Sequence, residues 1–319
     1  MTALNVSLSL SNDLLTGTEW NPAQLREFFQ LAADIKGRPE RYGTALAGKF
    51  LALIFEKPSL RTRVTFEVGV ASLGGTAVFL DHTLTHLGER ECVRDIAKNL
   101  ERWVHGIVAR VFAQESLEDF AKNASIPVIN ALSDKYHPCQ ALADFFTLEE
   151  RFGNLRGFKL AYIGDGNNMC HSLLTIGARV GAHVRVATPA GYEPDAAIVA
   201  EAKRVARETR GKIEILRSPE EAVAGVQAVY TDVWASMGQE DESAKRAADF
   251  EGYEVNEKLF SQAAPDAIFM HCLPAHRGEE VTAAVIDGPK SVVWEQAANR
   301  EPTAQALLYT LITVDWGAV

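Results

Sequence analysis

FLALIFEKPSLRTRVTFE, residues 50–67, decides how the rest of the chain is read. Phe50–Phe55 is an unbroken apolar run, too short for a helix of ordinary length and suited to a strand buried on both faces. The run ends at Glu56, and a helix is expected from Arg61 to about Leu73. A buried strand turning directly into a helix is half of a βαβ unit, and the same alternation recurs along the chain. Further strands are expected at Thr76–Leu80, Ile107–Phe112, Ile126–Asn130, Leu160–Ile163, Val184–Ala187, Ile213–Leu216, Ala228–Thr231, Ala267–Met270 and Val292–Trp294. A first helix opens at Asn21-Pro22, a capping residue followed by proline, and puts Leu25, Phe28, Phe29, Ala32 and Ile35 on one face. A long helix is expected from Pro138 to Phe152, and a last one from Thr303 to Val314. The fold class is α/β, with two domains, each a parallel β-sheet flanked by helices, and a site expected in the cleft between them. The boundaries are placed at residues 1–136 and 137–302, with a terminal helix, 303–319, packing back on the first domain.

The 319 residues suit two domains at roughly 150 each. Thirty-two Lys and Arg against 42 Asp and Glu leave a net charge of −10. That balance excludes non-specific nucleic-acid binding, which needs a basic face, and argues against docking on anionic membranes. The charge is uneven: residues 1–136 carry 15 basic and 16 acidic side chains, residues 137–319 carry 17 and 26. Cys92, Cys139, Cys170 and Cys272 show no CxxC spacing and do not form a disulfide framework in a chain this long. No apolar run approaches the ~20 residues of a membrane span, and the N-terminal residues lack a basic leader, so a cytoplasmic protein is expected.

Five segments carry chemistry. Ser59-Leu60-Arg61-Thr62-Arg63 stands where a helix begins, and free N–H groups, two hydroxyls and two guanidinium groups there make an anion site suited to phosphate. Gly43 to Lys49 imitates a P-loop, but Phe50 replaces the hydroxyl residue and the segment enters a strand, not a helix. His137-Pro138-Cys139-Gln140 puts an imidazole just ahead of a helix N-terminus, with Gln140 one turn on. Gly164-Asp165-Gly166-Asn167-Asn168 begins like a dinucleotide fingerprint, but Met169 stands at the third glycine and no acid ends the next strand. A turn presenting Asn168 to a small ligand suits it better, although an oxidoreductase built on this turn stays open as an alternative. Asp232-Val233-Trp234-Ala235-Ser236-Met237-Gly238 follows a strand and puts an acid where an amine could bind. His271-Cys272-Leu273-Pro274 also ends a strand; adjacent strand residues point to opposite faces, and no second ligand pair has zinc spacing, so no metal is expected.

In this order Ser59–Arg63, Arg110, His137–Gln140, Asp232–Gly238 and His271–Pro274 resemble the aspartate/ornithine carbamoyltransferase family from about residue 10 to 315. Cys272 in place of Pro, and the Asp-x-Trp-x-Ser-Met-Gly segment, resemble the ornithine branch. The resemblance implies transfer of a carbamoyl group from carbamoyl phosphate to the δ-amine of L-ornithine, without cofactor or metal. It implies that carbamoyl phosphate is bound by Ser59, Leu60 (main chain only, where relatives carry Thr), Arg61, Thr62 and Arg110 of the first domain, with His137 and Gln140 from the first residues of the second. His86 would join them, in a loop that in the family reaches a neighbouring subunit, which implies a homotrimer or a multiple of trimers. Cys272, Leu273 and Arg300 resemble residues lining the reacting centre, and Asn168, Asp232, Ser236 and Met237 resemble the ornithine contacts. Arg110, His137, Asp232 and Cys272 are the implied catalytic groups. Ala298 stands where relatives carry Glu, implying loss of a supporting carboxylate. N-acylated ornithine and putrescine are the alternative acceptors.

Overall fold

The computed structural model describes residues 12–81, 91–235 and 240–313. Among these, residues 12–146 with 299–313 form one compact unit and residues 147–298 a second.

The first unit opens with α1 (Pro22–Gly37), whose start is set by a capping box: Asn21 accepts from the Ala23 and Gln24 N–H groups, and the Gln24 side chain returns a bond to the Asn21 N–H. There follow β1 (Phe50–Phe55), α2 (Leu60–Ser72), β2 (Thr76–Asp81), α3 (Val93–Leu100), β3 (Gly106–Arg110), α4 (Gln114–Asn123), β4 (Val128–Leu132) and α5 (Pro138–Phe152). The four strands are parallel in the order β2-β1-β3-β4. The strand expected to reach Phe112 stops at Arg110, and its register with β4 shifts between Ala109 and Arg110. Likewise β4 begins two residues later than its apolar pattern suggests.

The second unit contains β5 (Lys159–Ile163), α6 (Asn168–Val180), β6 (His183–Ala187), α7 (Ala196–Thr209), β7 (Lys212–Leu216), α8 (Pro219–Val223), β8 (Ala228–Thr231), α9 (Ser243–Asp249), α10 (Glu257–Phe260), β9 (Ile268–His271) and α11 (Ala283–Ile286). Its five parallel strands run β7-β6-β5-β8-β9. Val229, Ile163, Phe269 and Val285 are among the residues that close its core.

The expected strand Val292–Trp294 is instead the start of the last helix, α12 (Val293–Ile312); only Ser291 bridges β9, at Phe269. This helix runs through Pro302, which reads in sequence as a helix boundary because it has no N–H to give and crowds the preceding turn. A proline inside a helix costs ~3 kcal/mol. Beyond it Leu307, Leu308, Leu311 and Ile312 are buried, each worth ~1.5–3 kcal/mol, so packing outweighs the local penalty. Within the first unit Gln305 and Leu308 lie against Gly69 of α2, and Ile312 against Gly106 of β3. The compact units divide inside helices, between residues 146 and 147 of α5 and between 298 and 299 of α12, whereas the sequence expectation set the changes at 136/137 and 302/303. A helix that continues across a boundary leaves no break in composition to mark it.

Both sheets reverse strand order once. In the first unit the chain steps from β1 out to β2 and returns to β3 on the other side of β1; in the second, β5 has β6 on one side and β8 on the other. The carboxyl ends of strands flanking such a reversal leave a crevice, and that is where ligands bind in open α/β sheets.

Candidate functional site

In the first unit the reversal lies between β1 and β3. After β1 comes Ser59, the N-cap of α2, whose hydroxyl accepts from the Thr62 N–H at 3.3 Å. The first-turn N–H groups of α2, Leu60 among them, have no carbonyl four residues back and point outward with the positive end of the helix dipole. The Leu60 side chain is 76% exposed and offers nothing polar. Arg110 ends β3 and is buried. His137 stands directly before α5 and is buried, and its pKa is held well below 6.5, by burial first and then by the charges of Arg300, Arg110 and Arg61. That imidazole is therefore neutral and carries a single N–H to donate. Buried Arg300 donates to the Gln140 side-chain oxygen at 2.6 Å and to the Thr62 hydroxyl oxygen at 3.2 Å.

Sequence reasoning counted two guanidinium groups in this turn, and the structure separates them. Arg63 pairs with Glu67 at 3.0 Å and lies over the Phe79 ring, 3.6 Å from its centroid, so Arg61, not Arg63, belongs with the cations around His137. Asp144 was not anticipated. It is fully buried and accepts from the Gln140 amide at 2.8 Å. Because a carboxylate only accepts, the Gln140 NH₂ must face Asp144 and its oxygen must face Arg300. The i, i+4 spacing of Gln140 and Asp144 on a helix was the signal available in the sequence. Cys139 donates to the Asn130 carbonyl, and burial pushes its thiol up to about 12, which makes it an inert packing residue. Ala298 is exposed, so its missing carboxylate leaves no gap in a buried network; Asn299 is buried and accepts from Lys36 at 2.7 Å.

In the second unit the reversal lies between β5 and β8, whose ends are tied by the Thr231 hydroxyl donating to the Ile163 carbonyl at 2.6 Å. Gly164, with φ +143°, begins the turn after β5 in a conformation that favours glycine. At Gly166 a Cβ would meet backbone atoms of Tyr192, Glu193 and Pro194 within 2.6 Å. The close approach a pyrophosphate would need is thus taken by the protein's own chain, which disfavours the dinucleotide reading. Asp232 follows β8 and is largely buried. One of its oxygens accepts from the Val233 N–H at 2.8 Å and from the Cys272 thiol at 3.0 Å; the other accepts from the Asn167 amide at 3.0 Å. The Asp232 partner on the 164–168 turn is thus Asn167, the neighbour of Asn168, which opens α6 and which the sequence suggests as a contact to a small ligand. Two adjacent asparagines give no sequence signal for which one caps the helix.

Asp165 binds Arg246 at 2.7 Å, and Arg246 also donates to the Trp234 carbonyl at 2.8 Å while Trp234 stacks on Phe250. These contacts anchor the segment that leads into Ser236 and Met237. Ser236, Met237 and His86 lie outside the described residues. Burial raises Asp165 above the usual carboxylate range against the pull of Arg246, and it raises the Tyr162 phenol, with the negative charge of Asp232 adding to it.

Asp232, His271 and Cys272 bring possible ligand atoms within 4.8 Å of one another, so His271 and Cys272 do not diverge as strand neighbours would. The chain leaves β9 at His271 and turns at Leu273, which has φ +58°. His271 is nonetheless engaged at both ring nitrogens. Nδ1 accepts from the Leu273 N–H at 2.8 Å, which leaves the ring proton on Nε2, 3.2 Å from Glu280 Oε1. An imidazole in that state offers no lone pair to a metal.

Comparison with known proteins follows the same division. Residues 12–150 match the family model for the carbamoyl-P binding domain of aspartate/ornithine carbamoyltransferases, and residues 156–311 match the Asp/Orn binding domain model. The chain is 51% identical to an ornithine carbamoyltransferase of Thermus thermophilus over 307 residues, covering 96% of this chain and 98% of that one. It superposes on the crystal structure of ornithine carbamoyltransferase from Pyrococcus furiosus with a TM-score of 0.91 at 47% identity, over 94% and 96% of the two chains. With the anabolic ornithine carbamoyltransferase of Campylobacter jejuni the TM-score is 0.90 at 38% identity, over 94% and 98%.

Proposed function

The chain belongs to the aspartate/ornithine carbamoyltransferase family, and we propose that it transfers the carbamoyl group of carbamoyl phosphate to the δ-amine of L-ornithine, giving L-citrulline and phosphate. The observation that carries the choice of acceptor is Asp232. Among the described residues no Lys or Arg pairs with it, so this end of the second sheet presents a carboxylate held only by neutral donors. Such a site suits a cationic amine and is unsuited to a dicarboxylic acceptor, which would need arginines there.

The first unit supplies the opposite chemistry. Ser59, the Leu60 N–H, Arg61 and Thr62 form the cradle for the phosphate, where a helix N-terminus and a guanidinium favour an anion. Arg110, neutral His137 and the Thr62 hydroxyl are donors for the carbonyl oxygen. Arg300 already donates to the Thr62 oxygen, which directs the hydroxyl proton elsewhere. Gln140 acts through Arg300, whose guanidinium it holds. The δ-amine, with a solution pKa near ~10.4, must lose a proton before it attacks. Asp232, with Cys272 bound to it, orients that amine and handles its proton. The new C–N bond then forms and negative charge collects on the carbonyl oxygen beside Arg110 and His137; as the C=O bond re-forms, the C–O bond to phosphate breaks, and the departing phosphate takes the proton that the newly bonded nitrogen releases. Ser236, Met237 and Asn168 complete the amino-acid contacts, with Leu273 at the carbamoyl end, as the family resemblance implies.

Assembly is part of the same proposal: a homotrimer or a multiple of trimers, with His86 serving a neighbouring subunit. Leu60, Val64 and Val68 form an exposed apolar stripe at i, i+4, i+8 on α2, and β2 is a sheet edge. A light-scattering mass of three times 34.9 kDa, or a multiple of that, is expected, and a monomer overturns the assembly. Among the described residues no helix is long and apolar enough to cross a membrane, and the finer location proposed is the cytoplasm.

The reaction is tested by incubating the protein with carbamoyl phosphate and L-ornithine and measuring citrulline. Turnover of N-acetylornithine or putrescine in place of ornithine overturns the acceptor and keeps the transfer chemistry.

A further inference from the structure

We propose that Asn167, which sequence reasoning passed over, is a positioning residue for Asp232, aiming the carboxylate that receives the amine. The inference rests on the ornithine reading of the second unit. Asn167 is the N-cap of α6, and its Oδ1 accepts from the Met169 N–H at 2.9 Å and from the Cys170 N–H at 3.1 Å. The Tyr162 hydroxyl, on a fully buried side chain of β5, lies 3.3 Å from the same oxygen. Three donors converging on one oxygen fix which end of the amide is which, so the NH₂ must point the other way. There it meets Asp232 Oδ2 at 3.0 Å.

The amide thus works as a rigid bracket between a helix start and a carboxylate at the reversal point of the sheet. It holds one Asp232 oxygen from the α6 side, while the Val233 N–H and the Cys272 thiol hold the other. All three donors are uncharged. The carboxylate is oriented without a bound cation, which leaves that place to the amine. An arginine in Asn167's place would hold Asp232 as firmly and compete with the substrate. The side-chain oxygen needed for the cap can be supplied by Ser or Asp as well as by Asn. The donor toward Asp232 can be supplied by Asn but not by ionised Asp, and not by Ser while its shorter side chain serves the cap.

That separation is the test. Asn167→Ser and Asn167→Asp keep the capping oxygen, so their thermal midpoints are expected to stay near that of the parent protein. Asn167→Ala loses both the cap and the donor, and its midpoint is expected to fall. In assays with ornithine and carbamoyl phosphate, Asn167→Ser is expected to lose about 10-fold in kcat/KM for ornithine. Asn167→Asp, which sets a second carboxylate against Asp232, is expected to lose about 100-fold. KM for carbamoyl phosphate stays unchanged in both. Parent-like kcat/KM for ornithine in Asn167→Ser and Asn167→Asp overturns the inference, as does activity that falls only in step with the thermal midpoint. If the parent protein forms no citrulline, the ornithine reading fails and the inference falls with it, an outcome distinct from a parent that turns over and variants that match it.

Discussion

The clusters at the two sheet reversals set a buried ionisable group among charges of opposite sign. In the first, Arg61, Arg110 and Arg300 add to burial and push His137 far below its ordinary value. In the second, burial raises Asp165 and Tyr162, and the charge of Asp232 contributes to both. Yet the sheets share a plan: each is parallel, reverses strand order once, and carries its polar cluster where the strands beside that reversal end. Topology therefore selects where a site can form, and the side chains placed there select the sign of the charge it receives. Each unit also uses a side-chain amide to hold a charged group. Gln140, set by Asp144, steadies the Arg300 guanidinium; Asn167, set by the start of α6, steadies the Asp232 carboxylate. The difference is in what sets the amide. In the cationic site it is a buried carboxylate, and in the acidic site it is uncharged backbone and phenol donors, so neither bracket cancels the charge it aims.

This contrast can be broken or sharpened by substitution. The largest effect is expected from Arg61→Ala, which removes a cation from the phosphate cradle: a loss of about 10³ in kcat/KM, with the fold unchanged by circular dichroism. An unchanged rate removes the cradle from the account. Asp232→Asn keeps the shape of the acidic site and deletes its charge; a loss of about 10² in kcat/KM for ornithine is expected from steady-state kinetics, with KM for carbamoyl phosphate unaltered. Asp144→Asn frees the Gln140 amide to turn its NH₂ against Arg300, and a KM for carbamoyl phosphate raised about 10-fold is expected. If KM for ornithine rises instead, Gln140 does not serve the cationic site. The smallest effect is on stability. Since His137 binds its proton less readily folded than unfolded, the unfolded chain takes up that proton first as pH falls, and stability declines below about pH 6.5. This slope is at most about 1.4 kcal/mol per pH unit, and His137→Gln is expected to flatten it in denaturant titrations between pH 5 and about 7.

Most of the architecture was legible because buried parallel strands are short apolar runs, as in Phe50–Phe55 and Ala228–Thr231, and because caps such as Asn21-Pro22 mark helix starts. The last helix departs from the sequence expectation for a physical reason. Val292, Val293 and Trp294 have strand propensity and Pro302 suggests a boundary, while the burial that overrides both comes from residues distant in sequence. Candidate residues at the start of a helix or just after a strand, such as Ser59, His137 and Asp232, could be picked out by position, whereas Arg110, set inside an expected strand, entered through the family resemblance. The brackets behind these residues could not be picked out that way. Asn167 and Asn168 differ only in which one the helix places at its cap, and the separation of Arg61 from Arg63 depends on Glu67 and Phe79 being within reach. Asp144 was within reach of sequence reasoning, one helical turn beyond Gln140.

The central claim is that the anion and the amine are handled by different units. It is tested most directly by titrating carbamoyl phosphate calorimetrically into the parent protein, Arg61→Ala and Asp232→Asn. The account predicts parent-like affinity in Asp232→Asn and binding lost in Arg61→Ala; equal losses in the two variants would contradict it.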